Sequence, residues 1–438
     1  MGDLHIDKET EDMFVAAQGH LNRILQEGEG RDGGASRVVQ LGDLGAYSAD
    51  PGSQACFDFA KSFLGGFAAP SLLVTGNHDL EGSEFNTDEE NLAAWQRTFA
   101  QPHFWCCDVG PALMVGISTV RFRSNEHSVH EVHIDDEQVA WLREVLETAG
   151  DKPVVVYSHA PPLGCGLKVI NEVHVKNRCA WLNHSTDPFA FIDLVESHSN
   201  VRLWFSGHFH LSHNYADSVS SRHGTAFVQT GVIGTCNRDG MRQSRVLEMD
   251  REGFRVLTVD HHDDGRTRVD VEHSWSDPSD PVHVLPDDEL LCDPSDGFLC
   301  GRSSCAIGEE LGGVTWLPAG GDVMLAVQDE HLIQYSVRAQ AAVGAVSLDV
   351  RGRTARLLDE NGAVLGPDDA GDSAVAVELV AEDGSDRETF PRHEGGFYLI
   401  HQPNKWEKRM REQGLEELIE IQRALRDGKL DPTTQVAV

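Results

Sequence analysis

From Val38 onward the chain alternates between two patterns. Short, almost continuously apolar runs read as β-strands: VVQL (38–41), SLLVT (71–75), LMVGIS (113–118), VVVYS (154–158), VRLWFS (201–206), AFVQTGVIG (226–234) and FRVLTVD (254–260). Between several of them the apolar positions spread to helical spacing. In DEQVAWLREVLETAG (136–150), Val139, Leu142, Val145 and Leu146 share one stripe. Strands without a polar face belong in sheets covered on both sides, so residues 1–275 read as one α/β unit.

The pattern changes at Ser276. Residues 276–297 hold seven acidic residues, four prolines and no Lys or Arg, the signature of a solvated linker, which we place at 276–310. Beyond it, GVTWLP, DVMLAVQ, HLIQYSV, GAVSLDV, ARLLDENGAVLG, AVAVELVAEDG and GFYLIHQ predict a small β-rich domain over 311–402, with Asn361-Gly362 as a hairpin turn. From Pro403 to about Arg426, Leu415, Leu418, Ile421 and Leu425 fall on one stripe. Residues 403–438 are therefore expected to form an amphipathic helix, packed on its own domain, and a tail.

Composition narrows the function. A chain of 438 residues with 40% hydrophobic and 24% charged positions suits a globular protein of two or three domains. No apolar run approaches ~20 residues, so no membrane span is expected, and the opening MGDLHIDKET has no signal-peptide pattern. The net charge of −35 argues against general nucleic-acid binding and against anionic lipid. An anionic substrate must therefore meet locally positive charge. The nine cysteines, without paired CxxC spacings, suit an intracellular, cytoplasmic, reducing environment. Cys292, Cys300 and Cys305 lie close together at the linker exit and read as thiols, with a disulfide as the alternative.

Candidate chemistry gathers where apolar runs end: Asp3 and His5 in GDLH, Asp43 in VVQLGDL, Asn77 in LLVTGNHD, His159 in VVVYSHAPP, and His208 and His210 in LWFSGHFH. Carboxyl ends of strands are where α/β folds bring ligand-binding groups together. Imidazole, carboxylate and amide oxygen suit divalent Mn, Fe or Zn better than thiolate-loving ions. Seven such groups exceed the need of one ion and fit two bridged by a carboxylate. Taken alone, a His-x-His pair is a packing pattern and an Asp after a strand is a helix cap. It is the company they keep that makes them ligands.

The order DxH, GD, GNHD, H, GHxH resembles the calcineurin-like metallophosphoesterase superfamily in its cyclic-nucleotide phosphodiesterase-like branch, over roughly residues 1–271. The resemblance implies a four-layer αββα sandwich and two divalent metal ions. Asp3, His5, Asp43 and His210 would hold the first ion, and Asp43, Asn77, His159 and His208 the second. It implies His78 as leaving-group acid, with Asp79 fixing its tautomer. The expected activity is hydrolysis of a small phosphodiester or phosphomonoester substrate by a metal-bridging hydroxide. A non-catalytic metal-binding scaffold or interaction protein on the same fold is the alternative. GDLGAYSADPG lacks the Asp-Arg-Gly of protein Ser/Thr phosphatases, which counts against that branch.

Only Met1 and Gly2 precede Asp3, where the family carries a full strand. Either the chain is a truncated form, which leaves organelle import open, or the first ion is weakly held at a frayed start. The stretch 166–185, with His174, Lys176, Asn177, Arg178 and Trp181, is a candidate substrate loop. Arg238 and Arg242 are candidates for a phosphate contact, with pairing to nearby acids as the alternative. His127, His130 and His133 read as a surface strand, and Asp260–Asp264 as a polar turn.

Overall fold

The computed structural model describes residues 1–29, 36–125, 132–167, 185–237, 239–286 and 289–290, separate stretches of 310–398, and 403–431. The substrate-loop candidates, Arg238, His127, His130 and the three clustered cysteines lie outside the described residues.

All seven apolar runs of the first part contain strands. β1 (Val38–Gln40) and β2 (Ser71–Leu73) pair in parallel. A six-stranded sheet comprises β3 (Trp105–Asp108), β4 (Leu113–Gly116), β5 (Val154–Tyr157), β6 (Val201–Ser206), β7 (Val219–Arg222) and β8 (Thr225–Gln229), in the order 3-4-5-6-8-7. Strands 4, 5, 6 and 8 are parallel, and the two outer pairings are antiparallel. β9 (Gln243–Met249), β10 (Gly253–Asp260) and β11 (Arg266–Ser274) form an antiparallel sheet. The expected polar turn follows β10, although His261 within it is buried.

Alternation along the strands sets the layers. Val154 and Val156 of β5 face Leu142 and Leu146 of α4 (Asp136–Ala149) and Phe191 and Val195 of α5 (Ala190–Ser197). Val155 and Tyr157 point the other way, into a core shared with Leu41, Val74, Phe254, Val256 and Val271. On the far side of β1 and β2, Val38 and Leu73 pack beneath α1 (Glu11–Glu29), α2 (Gln54–Leu64) and α3 (Asp88–Phe99) through Phe14, Phe57, Phe63 and Trp95. The order is helix, sheet, sheet, helix, the expected αββα arrangement. Three apolar interfaces hold it together, each burying side chains worth ~1.5–3 kcal/mol apiece.

The first six residues are not frayed. They lie beside β1 in parallel: Leu41 N–H donates to the Met1 carbonyl (3.1 Å), His5 N–H to that of Asp43 (2.8 Å) and Ile6 N–H to that of Leu44 (2.9 Å). Asp3 and Leu4 are completely buried, so the expectation of a poorly anchored first ligand is corrected.

Antiparallel strands follow after residue 310. One sheet contains Val323–Gln328, His331–Ser336 and Ala341–Ser347, and another Arg353–Leu358, Ala376–Ala381 and Arg387–Pro391. Leu325, Ile333, Leu357 and Val377 extend the core on the α4–α5 side. At Asn361-Gly362 the chain reverses, with Gly362 at φ +77° and Asp359 N–H bonded to the Ala363 carbonyl.

The single terminal helix predicted from the sequence is two, α6 (Lys405–Gln413) and α7 (Glu416–Arg426), because Gly414 closes the first in a left-handed cap. Among the described residues both pack on the α/β part. Trp406, Met410, Leu418 and Ile419 cover Leu80 and Phe122, Asn404 Nδ2 donates to the Phe122 carbonyl (2.7 Å), and Asp88 N–H donates to Gln422 (2.9 Å). Among the described residues no helix is long and apolar enough to cross a membrane.

Candidate metal centre

The seven ligand candidates converge at the carboxyl ends of the parallel strands. Asp43 follows β1, Asn77 and His78 follow β2, His159 follows β5, and His208 and His210 follow β6. Asp3 and His5 come from the segment beside β1. All seven are buried. Asp3, His5, Asp43 and His210 present donor atoms within 4.8 Å of one another, and so do Asp43, His159 and His208. Asp43 belongs to both groups. Asn77 joins the second group, its Oδ1 lying 3.0 Å from His159 Nε2.

Hydrogen bonding shows what these groups lack. His5 Nδ1 is 3.0 Å from the Gly45 carbonyl, and His210 Nδ1 is 2.7 Å from the Cys236 carbonyl. Each Nδ1 therefore carries the proton, because a carbonyl only accepts. The two Nε2 atoms, 3.2 Å apart, then face each other lone pair to lone pair, with Asp3 Oδ1 3.3 Å from that of His210. His159 repeats the pattern: Nδ1 donates to the Leu41 carbonyl (2.7 Å), which turns Nε2 toward Asn77 Oδ1 and Asp43 Oδ2 (3.3 Å). Acceptors aimed at acceptors need a cation between them. The residues therefore fit a pair of divalent ions, with borderline to hard donors.

The electrostatics agree. Burial lowers the His159 pKa, but Asp43 outweighs it and raises the value to about 9. At His5, burial and the neighbouring His210 hold the pKa down, at about 4. Asp43 is held well below the ordinary carboxylate range, with His159 and His78 overcoming burial.

The backbone is bent to make this convergence. His5, Asp43, His208 and His210 all lie at positive φ, between 41° and 71°, a conformation that costs about 1–3 kcal/mol per residue and gathers at functional sites. Two glycines allow the close approach. A Cβ on Gly76 would stand 2.2 Å from Asp43 Oδ1, and one on Gly207 would stand 2.4 Å from Asp3 Oδ2.

One expected role is corrected. Asp79 does not orient His78. Its carboxylate accepts from the backbone N–H groups of Asp43 (2.9 Å), Leu44 (2.8 Å) and Gly76 (2.8 Å), tying the turn after β1 to the turn after β2. Burial, followed by the charge of Asp43, raises its pKa to about 7. The partner of His78 is Glu81, with Oε1 2.8 Å from Nδ1 and both side chains buried. Burial alone would lower the His78 pKa, but Glu81 and then Asp43 raise it to about 9. The helical turn His78–Leu80 places Glu81 on the same side as His78, so only the i, i+3 spacing hinted at this pair.

Sequence reasoning also missed Tyr47 and Arg123. Tyr47 stacks on His5 (centroids 4.6 Å) and meets His78 edge-on (4.8 Å) while remaining half exposed. The buried Arg123 donates to the carbonyls of Leu80, Gly82 and Phe85 and fixes the loop that follows His78. Arg242, a phosphate candidate, is instead committed to the carbonyls of Ile233 and Met13. His133 is buried and not in a strand, against the surface-strand expectation.

Fold and site together define a layered α/β domain built around a paired Asp/His metal-binding centre. Residues 1–212 match the family model of calcineurin-like phosphoesterases. Among curated proteins, it is similar to a glycerophosphodiester phosphodiesterase of Enterobacter lignolyticus, with 26% identity over 166 residues, covering 35% of this chain and 50% of that protein. It is also similar to a probable cyclic nucleotide phosphodiesterase of Rhodopseudomonas palustris, with 23% identity over 177 residues, covering 40% and 56%. The chain thus spans about half the length of these relatives. Among solved structures, a dimetal phosphatase from Danio rerio aligns over 56% of this chain and 86% of its own, with 13% identity and a TM-score of 0.40.

Proposed function

We infer that the protein hydrolyses a small phosphodiester or phosphomonoester at this centre, the catalytic unit being residues 1–275. The observation that carries the reading is the convergence of imidazole lone pairs and carboxylates on two shared points, with His78 beside them. Two divalent ions held there supply positive charge to the phosphoryl oxygens and lower the pKa of a water nucleophile. The chain's own residues do the rest. Asp43 would be shared by the two ions, with Asp3, His5 and His210 as further holders on one side and Asn77, His159 and His208 on the other. His78, with Nδ1 engaged by Glu81, delivers its proton through Nε2 to the departing oxygen. The acidic exterior favours a compact substrate over a long polyanion. The relatives named above make glycerophosphodiesters and cyclic nucleotides the first compounds to try.

The test is a metal-reconstituted screen with Mn, Fe or Zn against bis-p-nitrophenyl phosphate, p-nitrophenyl phosphate, glycerophosphodiesters and cyclic nucleotides. Two equivalents of metal with turnover of at least one ester are expected. Fewer than two equivalents with no hydrolysis would favour the non-catalytic scaffold.

A further inference from the structure

Cys236 was not among the residues singled out for chemistry, and it lies at the centre. The chain leaves β8 through Gly231–Gly234 and reaches Cys236 beside His210, whose Nδ1 donates to the Cys236 carbonyl (2.7 Å). That contact has two effects. It fixes His210 as the tautomer that turns Nε2 toward Asp3, a common device for orienting a metal-binding imidazole. It also sets the thiol of the same residue within 4.8 Å of a ring nitrogen of both His5 and His210.

His5, His210 and Cys236 form a third donor group, distinct from the carboxylate-containing pair and sharing two ligands with the first ion's set. It brings the one soft donor to a cluster otherwise made of imidazole, carboxylate and amide. Cys236 is half-buried, so it is neither sealed in the core nor a loose surface thiol.

We propose that Cys236 is a sulfur donor to an ion held by His5 and His210 at the first position, which makes that position thiophilic and the second not. The inference rests on the metal-centre reading above. On coordination a sulfur–metal bond forms, and the S–H bond breaks with its proton passing to solvent; no oxidant or reductant is involved. Thiolate favours zinc and cobalt over manganese, whereas the second group, with Asn77 and two imidazoles around the shared Asp43, has no sulfur among the described residues to make that distinction. One chain would then hold two unlike ions.

The experiment is cobalt titration of the full-length apoprotein followed by absorption spectroscopy. Visible d–d bands report occupancy, and a sulfur-to-cobalt charge-transfer band in the near ultraviolet reports the thiolate. Expected are both signals in the unaltered protein, and d–d bands without charge transfer in Cys236→Ser and Cys236→Ala. The band should persist in Cys56→Ser, a control for the buried thiol near Gly45. In parallel, Cys236→Ser should weaken zinc binding about 10–100-fold, the range for losing a group that supports a metal, and leave manganese binding nearly unchanged. A wild-type protein with d–d bands and no charge transfer overturns the inference while the metal centre stands. A band that survives in both Cys236 variants, or disappears in Cys56→Ser, also overturns it. A protein that takes up no cobalt overturns both readings.

Discussion

The pair His78–Glu81 is open to a direct test, Glu81→Gln. The change keeps size and hydrogen-bonding capacity and removes one charge from a contact of 2.8 Å between buried groups. With Glu81 in place the His78 pKa is raised to about 9. A rise from 6.5 to about 9, at about 1.36 kcal/mol per pKa unit, amounts to roughly 3 kcal/mol in favour of the protonated ring. In the variant Asp43 still opposes burial and the charge of Lys405, but without Glu81 the pKa falls toward or below its ordinary value. The sign follows from the role. A leaving-group acid must carry its proton, so activity is lost as pH rises through the His78 pKa, and the falling limb of the profile should move down in Glu81→Gln. At pH 8 a group of pKa about 9 is mostly protonated, whereas one of pKa 6.5 is protonated in only about 3% of molecules. For these values the expected loss at pH 8 is roughly 30-fold, and it vanishes at a pH below both pKa values. The assay is kcat/KM against pH on an alkyl phosphodiester, with a p-nitrophenyl ester as control, because p-nitrophenolate leaves without a proton. Bound ions lower both values and carry both falling limbs to lower pH, so the separation between the limbs is the quantity to read. Falling limbs that coincide in the two proteins, or an equal loss on both esters, would refute the acid role.

Three further outcomes follow from the geometry. Asp43→Asn removes the only carboxylate common to both donor groups, so calorimetry or elemental analysis should show both positions weakened and turnover reduced by several orders of magnitude; retention of two tightly held ions would overturn the bridging role. Gly207→Ala places a Cβ 2.4 Å from Asp3 Oδ2, and the forced shift, about 1–3 kcal/mol by analogy with overpacked cores, should appear in metal affinity at the first position more than at the second. Trp406→Ala, which empties the contact of α6 with Leu80 and Phe122, should cost about 3–5 kcal/mol in denaturant unfolding; at temperatures where the variant stays folded it should lower kcat with little change in metal content, because it loosens the turn that carries His78.

The strands and ligands were legible for one reason, and the misses share another. Buried parallel strands such as VVVY and VRLWFS have no polar positions, and the ligand at the end of each stands out against them. The overlooked strands WCCD, VSSR, QSRVLEM and RTRVDVEHS are all sheet edges, where polar residues on the open side break the pattern. Asp79 was misread because adjacency to His78 suggested contact. A helical turn instead brings residue i+3 alongside and sends i+1 elsewhere, to the three backbone N–H groups that it receives. The break at Gly414 was written in the residue itself, but the apolar stripe running across it hid the stop. Cys236 lies 26 residues beyond His210, and Tyr47, four residues after Asp43, carries no ligand chemistry of its own to mark it; the convergence of strand ends brings both to the centre.

That convergence also explains why the protonation states of the site pull in opposite directions. His5 and His159 are both buried imidazoles with Nδ1 bonded to a carbonyl, and yet one is driven down to about 4 and the other up to about 9. The difference is in the balance of charge: at His5 burial and His210 outweigh Asp43, whereas at His159 Asp43 outweighs burial. Protonating His159 relieves one end of the cluster and leaves the His5–His210 confrontation in place, whereas protonating His5 adds charge beside His78 and His210. Protons on these rings relieve one end of the cluster at the expense of the other. Two divalent cations would satisfy both ends at once, because each would replace a lone-pair clash while the Nδ1–H groups of His5, His159 and His210 stay on their carbonyls. The positive-φ residues fit the same account. A backbone held at His5, Asp43, His208 and His210 against a cost of about 1–3 kcal/mol each is stable only when the surroundings over-determine it, and bound ions add to that determination by favouring the folded state alone. The strain and the electrostatic conflict are therefore features of the same design, a cage folded in advance around charge that it does not itself supply.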